Sequence, residues 1–169
     1  QDLPFDESLR FEIQVLERPQ GEGRSMKIID PEKDDKLKRS VITVNNEDSL
    51  CMARAIVVLM AKLRSDPQYC IIRQPNKAIQ KKKAEELHHS AGVPFGPCDV
   101  SAALKFEKQL GVQINIVALE QGNKIVYKGS ENPVKLFLWR RILNNKYHYD
   151  AITNMAAFLG YRRYCHPCD

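Results

Sequence analysis

The chain has 169 residues, 26 Lys+Arg against 21 Asp+Glu for a net charge of +5, and 43% hydrophobic residues. That length fits one globular domain that buries roughly 70% of the surface its unfolded form exposes, so a core needs no disulfide or metal scaffold. The longest apolar run, residues 55–61, falls far short of the ~18–20 residues of a membrane span, and a net charge of +5 is too small to argue for DNA binding by itself.

Residues 1–10 read as a polar lead-in with early acids and no apolar signal core. The five cysteines are an odd number, and without a secretion signal they are expected to be reduced thiols of the cytoplasm or nucleus. The absence of an initiating Met reads as a domain excised from a longer protein. Residues 11–16 alternate apolar and polar, the pattern of a half-buried strand; 18–23 form a Pro/Gly loop, 26–29 a short strand, and 30–39 a solvated stretch dense in both charge signs. Residues 1–40 are thus expected to be an extension with short strands, part of the same domain.

Residues 41–44 read as a strand, followed by a run of capping and turn residues, Asn45 to Ser49. Residues 50–64 carry no Gly or Pro and are apolar on nearly every side, which predicts a buried helix ended by Ser65-Asp66-Pro67. Residues 79–90 predict a charged helix with Ala84 and Leu87 as a thin apolar edge. After the loop at 92–97, Asp99 or Ser101 is expected to cap a helix reaching Leu110, with Ala102, Ala103, Phe106 and Leu110 on one face. Strands are expected at 112–119, 124–128, 134–139 and 147–152, with turn chemistry at Gln121-Gly122-Asn123, Gly129-Ser130 and Asn144-Asn145, so hairpins or a meander follow. Helices in the middle and strands late make the fold class α+β.

Two pieces carry chemistry. Cys51 lies three residues after Asp48. With Asp48 as N-cap it falls in the first helical turn, where unpaired N–H groups and the helix dipole favour an anion and shift a thiol toward its thiolate; the competing reading is a buried structural cysteine. His148 and Asp150, two apart on a strand, project from one face, where the carboxylate orients the imidazole; the competing reading is a half-exposed strand histidine beside an acid.

Together they are more specific. Asp48-Ser49-Leu50-Cys51-Met52-Ala53-Arg54-Ala55 resembles the nucleophile motif of the ovarian tumour (OTU) family of cysteine proteases, D-G-x-C-hydrophobic-x-R-[AS]. His148-Tyr149-Asp150-Ala151-Ile152 resembles that family's C-terminal H-[YF]-[DN]-x-[VIL] strand, and the order of the parts agrees. Ser49 stands where the family usually has Gly, and Leu50 where a polar residue is common. The resemblance implies that residues 41–161 form an OTU-like, papain-type catalytic domain, a buried helix carrying the cysteine packed on a mostly antiparallel sheet. It implies a deubiquitinase, a thiol protease cleaving isopeptide bonds of ubiquitin or a ubiquitin-like modifier without a cofactor. Cys51 is then the nucleophile, His148 the base and acid, Asp150 the orienting group, and the loop of Asp48, Ser49 and Leu50 the oxyanion hole.

A wider resemblance runs through the Asn45–Arg54 region, the loop from Ala91 to Cys98, and the end from His148 to Cys168. These look like the region ahead of family-B DNA polymerases in Polinton/Maverick-type mobile elements, which implies a polymerase region in the same polypeptide. The alternative function is then a catalytically inactive OTU-like module that docks proteins or binds nucleic acid; a protease acting on another substrate, such as a polyprotein, is a second.

Cys165-His166-Pro167-Cys168 has the C-x₂-C spacing of half a zinc knuckle, so residues 162–169 are expected to begin a truncated zinc segment. Its other ligands must lie beyond the chain or come from Cys70, Cys98, His88 or His89. Lys81-Lys82-Lys83 and His88-His89 are expected on a solvated helix face, Cys70 in packing, and Trp139 in the core. Cys98, at another helix start, is the rival thiol and lacks a histidine–acid pair. No phosphate-binding loop, dinucleotide fingerprint or HExxH motif occurs.

Overall fold

The computed structural model describes residues 40–75 and 77–160. The strands expected at 11–16 and 26–29 and the Cys165/Cys168 pair lie outside the described residues. The fold is α+β. Strand β1 (Val41–Ile42) leads into helix α1 (Cys51–Leu63), a short α2 (Tyr69–Ile72), α3 (Ala78–Ser90) and α4 (Val100–Leu110). Then come β2 (Gln113–Ala118), a 3₁₀ turn (Leu119–Gln121), β3 (Lys124–Lys128), β4 (Lys135–Leu143), β5 (Lys146–Ile152) and a short α5 (Met155–Leu159). The two short helices were not anticipated, because segments of four and five residues carry no readable period.

Apolar periodicity explains α1. Every residue from Cys51 to Ala61 is buried, as expected for a helix apolar all round. It packs against α3 and β5, and its core contains Met52, Ile56, Phe106, Ile114, Leu138 and Tyr149. Helix α4 begins at Asp99, whose carboxylate accepts from the Ser101 and Ala102 N–H groups at 2.9 and 3.1 Å. It ends at Gly111, where φ is +63°, a conformation that costs glycine nothing. Asp99→Ala is expected to cost about 1 kcal/mol, the usual worth of an N-cap, as a lowered urea midpoint with unchanged slope.

The sheet has five strands in the order β1-β5-β4-β2-β3. It contains two hairpins, β2/β3 and β4/β5, but it is not a meander: β4 pairs parallel to β2 and the other pairings are antiparallel. The chain therefore passes β2 between β3 and β4. At this passage a side chain on Gly129 would strike the Glu107 carboxylate, which is already engaged by the Ile114 N–H and the Tyr127 hydroxyl.

The β4/β5 turn is the two-residue Asn144-Asn145 with φ of +50° and +59°. These left-handed angles suit a tight hairpin and fix its register. Leu143 pairs with Lys146, which sets Arg141 opposite His148 and Trp139 opposite Asp150. Antiparallel partners share a face, so these four side chains stand on one side of the sheet. That side also carries a second core of Val41, Val117, Phe137, Trp139, Ile152, Met155 and Phe158. Trp139 is buried as expected, and its N–H donates to Asn123 Oδ1 at 2.9 Å.

Candidate active site

Cys51 is the first residue of α1 and is buried. Its helix has Leu50 as N-cap, with no side chain capping it, so the first-turn N–H groups of Cys51, Met52 and Ala53 have no acceptor within the helix. This corrects the expectation that Asp48 caps α1. The Asp48 carboxylate is drawn back instead by an ion pair with Arg54, a bond from the Leu50 N–H at 3.0 Å and one from Asn46. Burial pushes this carboxyl up, but the bonds from Arg54, Asn46 and Leu50 outweigh it and hold the group below its ordinary range. Arg54 in turn donates to Gln80 on α3, so the loop before Cys51 is tied to two helices. Within this loop the Leu50 N–H is spent on Asp48. The Cys51 N–H, next along the chain, is one of the first-turn donors that no side chain caps.

His148 and Asp150 lie on β5, two apart, as strand alternation predicts. His148 Nε2 lies 3.3 Å from Asp150 Oδ1, which leaves Nδ1 for the sulfur. The Cys51 thiol stands close enough to the ring to act on it by hydrogen bonding and by charge. Burial works to lower the His148 pKa, yet the bonds and charges from Asp150 and Cys51 raise it to about 9. The ring is therefore an imidazolium at neutral pH. Because that pKa is raised, the site's contribution to stability is full below the ordinary histidine value of 6.5 and is lost as pH climbs through about 9.

Asp150 is completely buried. Its Oδ1 also accepts from the Val44 N–H at 2.8 Å, and its Oδ2 takes Nε of Arg141 at 2.7 Å together with Nη2 of the same guanidinium. Neither partner was foreseen from the sequence. The signal for Arg141 was nonetheless present, since a two-residue Asn-Asn turn fixes which β4 residue faces His148.

The rival thiol, Cys98, is buried. Burial, with the charges of Cys51 and Asp99, pushes its pKa up to about 12, so it stays protonated at neutral pH. Its Sγ lies 3.9 Å from His88 Nε2. His88 was expected on a solvated face and is instead completely buried, stacked on Phe95 and edge-on to Phe106. Carbonyls of Val93 and Pro94 both lie 3.2 Å from its Nδ1, so that nitrogen carries the proton, while the Cys98 thiol donates to the Gly96 carbonyl at 3.6 Å. His89, Lys81 and Lys82 are exposed as expected. Cys70 is exposed rather than packed.

Among the described residues no three His, Cys, Asp or Glu side chains converge as metal ligands, and no helix is long and apolar enough to cross a membrane. A hollow of about 680 Å³ lined by Leu59, Lys62, Val134, Phe137, Ile152 and Met155 lies toward the other end of α1 and includes none of the site residues. No family model matches the chain, and no curated protein or solved structure matches it significantly.

Proposed function

We propose that the chain is an OTU-like cysteine deubiquitinase whose triad is Cys51, His148 and Asp150. The observation that carries this reading is the convergence of two distant parts of the sequence: a thiol at the N-terminus of α1, and on β5 an imidazole beside it with a buried carboxylate on its other ring nitrogen. It is the arrangement that activates a sulfur nucleophile. The family itself comes from the two motifs, D-S-L-C-M-A-R-A and H-Y-D-A-I, at Asp48–Ala55 and His148–Ile152.

In this reading the imidazolium and the helix N-terminus are the positive charges that face the Cys51 sulfur as it acts as nucleophile. The sulfur attacks the isopeptide carbonyl between the modifier's C-terminus and a lysine. The oxyanion is received by backbone N–H groups at the start of α1, Cys51 first among them, each worth roughly 10²–10³ in rate. Collapse of the intermediate breaks the C–N bond as His148 gives its proton to the departing ε-amine, leaving a thioester on Cys51. Neutral His148 then takes a proton from water, whose oxygen attacks the thioester carbonyl and releases the carboxylate and the thiolate. No cofactor enters any step.

The test is hydrolysis of ubiquitin carrying a fluorogenic amide at its C-terminus. Release of the fluorophore by the native chain, and its loss in Cys51→Ala, is the expected result. A chain that releases nothing from ubiquitin or any ubiquitin-like substrate is not a deubiquitinase. Salt-dependent binding to DNA that survives Cys51→Ala would then favour the docking module ahead of a polymerase.

A further inference from the structure

We infer that Arg141 is a positioning residue for the Cys51–His148 pair, acting through Asp150 by clamping the carboxylate so that one oxygen stays aimed at the histidine ring. The inference rests on the hydrolytic reading of the Cys51 site. Arg141 does not belong to either motif that suggested that reading.

The argument begins with burial. A carboxylate with no exposed surface must have its charge compensated and its lone pairs filled, or it costs several kcal/mol. At Asp150 the two oxygens are divided. Oδ1 serves the Val44 N–H and the His148 ring. Oδ2 serves Arg141 alone, through two nitrogens of one guanidinium. Two nitrogens of a planar guanidinium converging on Oδ2 fix where that oxygen sits, and the Val44 N–H on Oδ1 fixes the other, so the two anchors together set the carboxylate plane. With Oδ2 held, Oδ1 has nowhere to turn except toward Val44 and Nε2. The ring is therefore presented to Cys51 by its other nitrogen.

The clamp is itself braced. The Arg141 guanidinium lies over the Trp139 ring, 5.0 Å from its centroid. Trp139 is almost completely buried, bonded to Asn123 through its N–H and edge-on to Phe158 at 5.6 Å. The chain of support therefore runs from the second core through Trp139, Arg141 and Asp150 to His148. Strand register makes it possible: Arg141 faces His148 across the ladder, and the diagonal step reaches Asp150. Outside that role, a partly exposed arginine on a hairpin needs no fork and no aromatic shelf.

The readout is alkylation of Cys51 by iodoacetamide in the whole chain, followed by peptide mass spectrometry, with exposed Cys70 as the internal reference thiol. It needs no ubiquitin, so a failure of the deubiquitinase reading alone leaves it intact. At about pH 6.5 only a thiol held as thiolate by an oriented imidazolium reacts fast. There Arg141→Ala is expected to slow Cys51 roughly ten-fold relative to Cys70, and Arg141→Lys to recover only part of the loss. At about pH 9.5, where thiols ionise unaided, the difference should close. Adding Arg141→Ala to Asp150→Ala should change the rate less than about two-fold, because the arginine acts through that carboxylate.

Native-like alkylation of Arg141→Ala near pH 6.5, or losses that multiply in the double variant, would overturn the role. Should circular dichroism find Arg141→Ala unfolded, Arg141→Lys carries the same comparison, and a lysine variant indistinguishable from the native chain would overturn the need for a fork. If native Cys51 reacts no faster than Cys70 near pH 6.5, the thiolate pair is absent and the role falls with it.

Discussion

His148→Ala is expected to lower ubiquitin-amide hydrolysis roughly 10³-fold, the usual worth of a general acid and base acting at one atom, with the chain still folded. Two separate losses combine in that figure. The attacking sulfur loses the positive charge beside it, and the departing amine loses its proton donor. The ring's side chain is 14% exposed and bonded to Asp150, so its removal opens a partly solvated gap rather than a sealed cavity. A drop of less than about ten-fold would mean that His148 does not carry the proton. The pH profile of the native chain supplies the matching signature. With His148 raised to about 9, activity is expected to hold through neutral pH and to decline as pH rises through about 9, where the imidazolium is lost. A decline centred near the ordinary histidine value of 6.5 would show a ring untouched by Asp150 and Cys51.

Asp150→Ala is expected to cost more in stability than any other single change at the site, about 3–5 kcal/mol. Three groups depend on it: the Arg141 guanidinium, the Val44 N–H and the His148 ring. Removing the carboxylate strands the arginine's charge at 14% exposure and leaves a backbone donor unpaired between β1 and α1. Urea unfolding should report a lowered midpoint, and the surviving folded fraction should hydrolyse ubiquitin amide more slowly by roughly 10²-fold or more. A loss below about 1 kcal/mol would show that solvent reaches these groups and that the carboxylate is not their keystone.

The candidate triad was legible because each part of it is a local pattern. The all-apolar stretch behind Cys51 can only be a buried helix, so the thiol had to sit at a helix start. Alternation on a strand puts His148 and Asp150 on one face whatever the rest of the chain does. What escaped was set by competition or by distance. Asp48 fits the N-cap pattern, but Arg54, six residues on, takes its carboxylate and moves the cap to Leu50. His88 looked solvated beside lysines, although it lies four residues after Ala84 and so continues the stripe of Gln80, Ala84 and Leu87, all buried. Strand β4 was cut short at Trp139 because Arg140 and Arg141 break the apolar run. The folded chain pairs both, Arg140 with Glu120 and Arg141 with Asp150. The parallel pairing of β2 with β4 depends on a crossover that no local spacing records.

The central claim is that Cys51, activated by His148, attacks the C-terminal carbonyl of a bound ubiquitin. Its most direct measurement is incubation with ubiquitin bearing a C-terminal electrophile, followed by mass spectrometry of the adduct. A single covalent ubiquitin mapped to Cys51, abolished in Cys51→Ala and retained in Cys98→Ala, is the predicted result. An adduct on Cys98, or none with ubiquitin or any ubiquitin-like probe on a folded chain, would contradict it.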